Sequence, residues 1–414
     1  MRIIFANRYF FPDQSATSRM VSSLAFALAR AGFEVGVVTS RALHDDREAR
    51  LPAQETINGV KVWRIGGSNF GRYRTIGRAM DYLTFHTAAL FWWLRHLRQG
   101  DVCVICTDPP LLSVSSALPI RLKGARMVNW ILDLFPEAAV ELEMISARGV
   151  PARLSMAMRD KSIRRSALIA CPSDSMAGYL RKRALPANAI ATVHLWSDCN
   201  EIHPVAPQEN HLRQQWGLDG VFVVGYSGNF GRAHEFSTML EAAARLRHRD
   251  DIRFLLIGGG QQRPAVEEAV RSRGLANVIL KPLQPADQVA ESLSVADAHI
   301  VSLLPNLEHC VMPSKFYGVM AAGRPTLFVG DKDGEVAQVI NRSNCGATIA
   351  IGDGRTLAET ILEWRTSPER CSDMGRSARR FAEKEFSRDR AVERWCEIFG
   401  SSGLGGRPIL KSFS

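Results

Sequence analysis

The chain has 414 residues, of which 46% are hydrophobic and 23% charged. That mix is ordinary for a globular protein and excludes a disordered chain, a collagen-like repeat and a disulfide miniprotein; at about 150 residues per domain, two or three domains are expected. The net charge is +10, and all of the surplus precedes residue 201, with 26 Lys and Arg against 16 Asp and Glu in 1–200 and 26 against 26 beyond. A basic half points to an anionic partner such as nucleic acid, a membrane surface or a phosphorylated substrate. Coding bias is the competing reading, since only nine of the 52 basic residues are Lys.

The opening MRIIFANRYF has no long apolar stretch before a small-residue cleavage site, so no signal peptide is expected. Strands are predicted at 3–6, 35–39, 60–65, 102–106, 127–132, 168–171 and 190–193. A helix is predicted at 18–31, where Val21, Leu24, Ala25 and Leu28 share one face. Cys103 and Cys106 have C-x-x-C spacing, but a strand sends them to opposite faces, so buried free thiols in a reducing compartment are expected. The stretch 70–98 carries Arg72, Arg74, Arg78, Arg95 and Arg98 around an apolar middle with Phe91, Trp92 and Trp93. Such a helix either lies on an anionic membrane or packs in the core of its domain. His86 within it reads as a partly buried histidine. A second basic cluster holds Arg159, Lys161, Arg164, Arg165, Arg181, Lys182 and Arg183. The longest apolar run outside strands, 88–94, is too short to span a bilayer.

Residues 197–208, SDCNEIHPVAPQ, have two prolines and no periodicity and predict a linker, with His194 and Trp196 just before it. Strands follow at 221–227, 253–257, 278–281, 298–302 and 326–329, with helices at 235–247, 264–273, 315–322 and 388–399. The alternation predicts an α/β fold of two doubly wound, Rossmann-like domains, 1–196 and 211–386, joined by a linker at 197–210. A helix at 387–400 can return to the first domain, and 401–414 is expected to be a loose tail. Ligands in such sheets bind beyond the carboxyl ends of the strands, so two facing edges would make a cleft for two substrates.

Three segments carry chemistry. In GYSGNFGR, Gly228 and Gly231 let the backbone approach a ligand. The turn Gly258, Gly259, Gly260 resembles part of a dinucleotide fingerprint, but G-x-G-x-x-G and the acidic ribose residue are both absent, which disfavours a dehydrogenase. In MPSKFYGVMAAGRP, Pro313 is expected at the first helical position, with the amides of Ser314, Lys315 and Phe316 and an exposed Lys315 ammonium turned toward a pyrophosphate. A capped helix with an exposed Lys is the plainer alternative.

Together PSKFYGVMAAGRP, GYSGNFGRAHEF, RFLLIGGG and DLFPE (residues 133–137) resemble retaining glycosyltransferases of the GT-B fold, family 4, particularly those that build bacterial polysaccharides. The resemblance implies transfer of a sugar from a UDP- or GDP-linked donor to a saccharide or lipid-linked acceptor, with no metal and no cofactor. It places Gly228, Asn229, Gly231, Arg232 and Gly259 with the donor phosphates, together with Pro313, Ser314 and Lys315. It places Pro282 and Leu283 with the nucleotide base, and Asp133 against the transferred sugar. Lys315 and Arg232 would then oppose the charge growing on the leaving diphosphate. Asp133 reads alternatively as a helix cap. The chain departs from the family pattern: Asn229 and His234 stand where many members have Arg and Lys, Cys310 and Gly318 where many have paired Glu, and Ser15–Ala16–Thr17 where many have a Gly pair. Glu308, beside His309, can substitute for one Glu. Lipid-linked diphosphate acceptors would explain a basic first half and a cytoplasmic enzyme peripheral on the inner, anionic leaflet of the plasma membrane. A sugar-nucleotide epimerase of the same fold needs further cleft carboxylates not located here. A nucleic-acid binder should interleave aromatics with a basic stripe, which this chain does not, so no nucleic-acid partner is expected.

Overall fold

The computed structural model describes residues 1–44, 46, 48–70, 75–183 and 189–401; Arg72, Arg74 and the tail from residue 402 lie outside them. The chain divides into two units, one of Met1–His194 with the chain from Ala391, the other of Leu195–Arg390.

In the first unit the elements run β1 (Arg2–Ala6), α1 (Ala16–Arg30), β2 (Glu34–Ser40), β3 (Gln54–Ile57), β4 (Val60–Ile65), α2 (Thr75–His96) and β5 (Val102–Cys106). They continue with α3 (Leu112–Leu122), β6 (Arg126–Trp130), α4 (Glu137–Glu141), α5 (Val150–Ile163), β7 (Leu168–Cys171), α6 (Asp174–Lys182) and β8 (Ile190–Thr192). Eight strands form one sheet in the order β3-β4-β2-β1-β5-β6-β7-β8. Every pair is parallel except the β3–β4 hairpin. Central strands covered on both faces must be apolar throughout, and VCVIC of β5 is buried at every position. Cys103 and Cys106 are free and buried there, as the strand reading requires.

Helix α2 covers one face of this sheet with Phe85, Ala89, Trp92 and Trp93. The Trp93 indole N–H donates to Ser116 Oγ at 3.0 Å. Of the two readings open for the Phe91–Trp93 stretch, core packing holds for the tryptophans and not for Phe91: Trp93 is 0% and Trp92 6% exposed, while Phe91 is 65% exposed. About 100° of turn per residue puts Phe91 on the face opposite the sheet. Burying each tryptophan stabilises by about 2–3 kcal/mol, which decides the rotation of the helix.

The second unit carries α7 (His211–Gln215), β9 (Phe222–Ser227), α8 (Ser237–Arg245), β10 (Ile252–Ile257), α9 (Arg263–Ser272), β11 (Val278–Lys281), α10 (Val289–Ser294) and β12 (Ala298–Ser302). After these come α11 (Lys315–Ala321), β13 (Thr326–Val329), α12 (Glu335–Ser343), β14 (Gly346–Ile349), α13 (Gly354–Thr366) and α14 (Pro368–Glu385). Its six strands are all parallel, in the order β11-β10-β9-β12-β13-β14. The core beneath them includes Tyr226, Phe230, Phe236, Phe254, Leu327 and Trp364. Residues 197–210, expected as a linker, are aperiodic but tied onto this unit. Val205 N–H donates to Ser294 Oγ at 3.1 Å, and Arg379 donates to the Ile202 and Cys199 carbonyls at 2.6 and 2.8 Å. The last helix, α15 (Arg388–Ser401), belongs to the first unit from Ala391, where Trp395 packs on Trp130 with ring centroids 5.2 Å apart and Phe399 on Phe33 at 6.4 Å.

Candidate active site

In the second unit, β9 ends at Ser227 and the chain turns through Gly228, whose φ of +136° only glycine adopts at little cost. The turn after β10 packs directly against it. A Cβ on Gly258 would run into the Gly228 carbonyl, and one on Gly260 into Asn229 and Phe230. The amides of Gly228 and Phe230 donate to Ile257 and Gly259 carbonyls at 2.9 and 2.7 Å. The two glycine turns therefore brace each other. Gly259, by contrast, has nothing within 4 Å of where a Cβ would stand.

Beneath this brace lie Tyr226, Phe230 and Phe236, with Phe230 and Phe236 stacked at 5.0 Å. The Tyr226 hydroxyl donates to the Asn229 carbonyl at 2.7 Å and receives the Lys315 ammonium at 2.5 Å. That ammonium also stands 4.1 Å above the Tyr226 ring centroid. His234 Nδ1 donates to the Ser302 carbonyl at 2.6 Å, and the Gln262 amide donates to the Gly231 and His234 carbonyls at 2.6 and 2.9 Å. Burial, helped by nearby Lys315, pushes His234 down to about 3, so it stays neutral. Its contacts pin the loop.

Two expectations about the Pro-Ser-Lys segment are corrected. Helix α11 begins at Lys315 with Ser314 as its N-cap, so Pro313 precedes the helix rather than opening it. The Phe316 amide is consumed within the turn, donating to the Pro313 carbonyl at 3.0 Å, and the Tyr317 amide donates to Ser314 at 3.3 Å. Lys315 is half-buried rather than exposed, and desolvation pulls its ammonium well below the usual lysine range. Among the described residues it has no carboxylate partner within ion-pair distance. Arg232 and Asn229 are exposed above the turn, and Pro282 and Leu283 are exposed after β11, Leu283 at 67%.

Glu308 has a different setting. One carboxylate oxygen accepts the Glu335 amide at 3.2 Å at the start of α12, and the other is buried without a partner. Burial, with Asp331 and Glu335 nearby, pushes it up to about 7. The chain makes room for it with Gly334, where any Cβ would collide with the carboxylate.

In the first unit the DLFPE segment follows β6. Its Glu137 is buried, takes two hydrogen bonds of 2.6 Å from Arg159 and one of 3.0 Å from the Tyr179 hydroxyl. Arg159 also donates to the Phe135 carbonyl at 3.1 Å, clamping the segment in place. Asp133 caps no helix, because α4 starts at Glu137 with Pro136 as its N-cap. The helix-cap alternative for Asp133 is thereby removed. Its carboxyl is open to solvent yet recessed among Thr107, Leu134 and Phe135, and desolvation lifts it to about 6.

Sequence reasoning missed the groups beside Asp133. Asp108, just after β5, is half-buried, and desolvation lifts it to about 6 against the pull of Arg8 and His44. Arg8 is buried, pairs with Asp81 at 3.2 Å and sits 5.2 Å from the ring centroids of both Tyr9 and Tyr82. Asp13 holds the following loop through the Ser15 amide at 2.9 Å and the His44 amide at 2.5 Å. These groups follow β1, β2 and β5, at the carboxyl ends of parallel strands, where α/β sheets bind ligands. A polar residue immediately after a fully buried strand was the available clue for Asp108. His86 bonds Ser115 Oγ at 2.7 Å and the Pro110 carbonyl at 3.2 Å, in keeping with a structural histidine. His194 lies 3.2 Å from the Pro172 carbonyl, and Trp196 is buried.

Residues 221–366 match the family model described as glycosyl transferases group 1, and residues 15–196 the model described as a glycosyl transferase 4-like domain. With two parallel-sheet units of this kind, the chain belongs to the glycosyltransferases of the GT-B fold. Among curated relatives it is 24% identical over 351 residues to WcaI of Escherichia coli (strain K12), a glycosyl transferase named for colanic acid biosynthesis, covering 82% of this chain and 86% of that one. Among solved structures, sucrose-phosphate synthase of Thermosynechococcus elongatus superposes with a TM-score of 0.76 at 16% identity, over 97% of this chain and 98% of that one. Anabaena HepE, solved with UDP and glucose, superposes with a TM-score of 0.73 at 14% identity, over 97% and 100%.

Proposed function

We propose that the chain transfers a hexose, with retention, from a UDP- or GDP-linked donor to a saccharide or lipid-linked saccharide in the building of a cell-surface polysaccharide. The observation that carries this is the Lys315 ammonium, half-buried against Tyr226 under the Gly228 turn with no carboxylate to neutralise it. A buried, unpaired cation costs free energy, and an arriving diphosphate relieves that cost. The exposed Arg232 guanidinium nearby adds a second positive charge. The named chemistry of WcaI and the UDP in HepE support the same reading.

In this reading the bond from the anomeric carbon to the diphosphate oxygen breaks, with its electron pair leaving on the nucleotide. Lys315 and Arg232 stabilise that growing charge by preorganised electrostatics, so the donor site works without a metal. The anomeric carbon becomes cationic, and Asp133 bonds a sugar hydroxyl or steadies the ring. The acceptor hydroxyl adds from the face the diphosphate left, and its proton passes to a diphosphate oxygen. Gly228, Asn229, Gly231, Gly259, Pro313 and Ser314 line the phosphates. Pro282 and Leu283 hold the base, and Glu308 takes the place of one missing Glu. The acceptor is met by the first unit, working at the inner leaflet of the plasma membrane.

The test is a screen of UDP- and GDP-sugars against lipid-diphosphate acceptors, read by product mass and by the anomeric configuration in NMR. A product with the donor's anomeric configuration is expected. Product of inverted configuration overturns retention, and no transfer from any nucleotide-sugar overturns the whole reading.

A further inference from the structure

Ten large apolar side chains of the first unit are exposed on three of its helices. On α2 they are Ile76, Met80, Leu83, Phe91 and Leu94, with Ile76 80% exposed. Their spacing keeps all five on one side, opposite the Phe85, Ala89 and Trp93 side that covers the sheet. Helix α2 is thus apolar on both sides, which a helix facing water is not. Helix α3 adds Leu118 and Leu122, one turn apart. Helix α5 adds Val150, Leu154 and Met158 at four-residue intervals, with Val150 74% exposed. The three helices are neighbours: His86 and Trp93 of α2 bond Ser115 and Ser116 of α3 at 2.7 and 3.0 Å, and Ser113 of α3 bonds Ser162 of α5 at 2.9 Å.

The charges on the same helices have one sign. Arg95, Arg121, Arg153 and Lys161 are exposed, and none is in an ion pair among the described residues. The only carboxylates in the three helices are Asp81 and Asp160, both buried; Asp81 pairs with Arg8, and Asp160 with Arg159 and Arg183. A second copy of the chain packed on this face would set arginine against arginine with no carboxylate in reply. A nucleic acid would answer the arginines and leave the leucines in water. An anionic bilayer answers both, with headgroup phosphates for the cations and the acyl boundary for the apolar side chains.

We propose that the outward faces of α2, α3 and α5 form one docking surface on which the chain lies against an anionic lipid bilayer. No helix among the described residues is long and apolar enough to cross it. The lipid-linked nature of the acceptor rests on the transferase reading; the docking rests on this surface alone.

The experiment is flotation of the full chain with vesicles of phosphatidylcholine and phosphatidylglycerol in equal parts, across a salt series. The chain floats at low salt and a salt-resistant fraction persists. Arg95→Gln/Arg121→Gln/Arg153→Gln weakens partition at low salt on the order of 100-fold, since each cation near an anionic surface contributes a similar increment. Leu83→Ser/Phe91→Ser/Leu154→Ser abolishes the salt-resistant fraction and lowers partition about tenfold or more. These positions are on the surface, so melting temperature and the thermal shift with UDP or GDP stay as in the unaltered chain. Absence of flotation, or flotation of both variants like the unaltered chain, overturns the proposal. So does a dimer that the serine variant splits without any vesicle binding, which makes the face a self-interface. A chain that floats but binds no nucleotide overturns the transferase reading and leaves the docking standing.

Discussion

The two units share a doubly wound plan and differ in what they show to solvent. Among the described residues, fifteen large hydrophobic side chains are exposed; fourteen belong to the first unit and one, Leu283, to the second. The charge surplus follows the same division: the first unit has 29 Lys and Arg against 17 Asp and Glu, and the second 23 against 25. The second unit has paired glycine turns braced on each other and a half-buried lysine. One plan has thus been given two surfaces, an apolar cationic one and a nearly neutral one that concentrates its special geometry in a few turns. Fold and surface are therefore separable: the parallel sheet sets where a ligand can sit, and the exposed residues set which ligand is met there.

The strongest way to break this division is to remove the second unit's cation. Lys315→Ala is expected to lower turnover about 100-fold or more and to weaken donor binding. Melting temperature should hold or rise, because a desolvated ammonium is removed. In the unaltered chain nucleotide affinity should fall as pH rises, with the fall beginning well below the usual lysine range, and the variant should lack that fall. Isothermal titration across pH reads both. Next, Asp133→Asn should cost transfer about 10–100-fold while leaving nucleotide affinity intact, since the donor is assigned to the other unit. The unaltered enzyme's kcat/KM should climb with pH through about 6 as the carboxyl ionises. Loss of nucleotide binding in this variant would erase the assignment of donor and sugar contacts to different units.

A pair of glycine variants sharpens the account of the turns. Gly258→Ala forces a methyl into the Gly228 carbonyl at a φ of +136°, and should destabilise by about 2–4 kcal/mol. Gly259→Ala meets nothing within 4 Å and should leave melting within about 1 °C of the unaltered chain. If Gly259 nonetheless lines the donor phosphates, its variant loses nucleotide affinity alone. A gentler effect than that of Gly258→Ala belongs to Glu308. Its carboxyl is raised to about 7 from an ordinary 4.5, so the folded state holds the proton more tightly than the unfolded one. Stability from this group is then greatest below 4.5 and is lost as pH rises through 7. Melting of the unaltered chain should drop by a few degrees more between those limits than melting of Glu308→Gln.

Much of this architecture is legible in the residues. Runs such as VCVIC and RFLLIG are apolar throughout because the strands they form are covered on both faces. The strand β3 was not read, since QETI alternates and stays half-exposed at the sheet edge, although the following Asn58–Gly59 pair is a strong hairpin sequence. At the site, local pattern located Lys315 and the Gly228 turn but not their depth. The depth comes from Tyr226, far away in sequence, and from Gly258 and Gly260 packing behind the turn. Asp133 was legible through DLFPE, whereas the Arg159 that clamps it through Glu137 and Phe135 is a contact between separate elements and has no local sign. The apolarity of α2 is legible in the sequence but its rotation is not, because the sheet that buries Trp92 and Trp93 and leaves Phe91 outside is built from separate segments.

The placement of α15 has a consequence for how the polypeptide is made. Trp130, wholly buried in the first unit, is covered by Trp395, and Phe33 packs on Phe399. On the ribosome these covering side chains emerge roughly 200 residues after the rest of that sheet, an interval of about 10–40 s at 5–20 residues per second. During that time the nascent first unit carries an open aromatic groove, and it closes only when the second unit has been synthesised and the chain has come back. The piece that completes the first unit is thus made long after the rest of it. A stop codon shortly before residue 391 would spare every residue assigned here to donor or acceptor, yet leave the older half of the molecule unsealed.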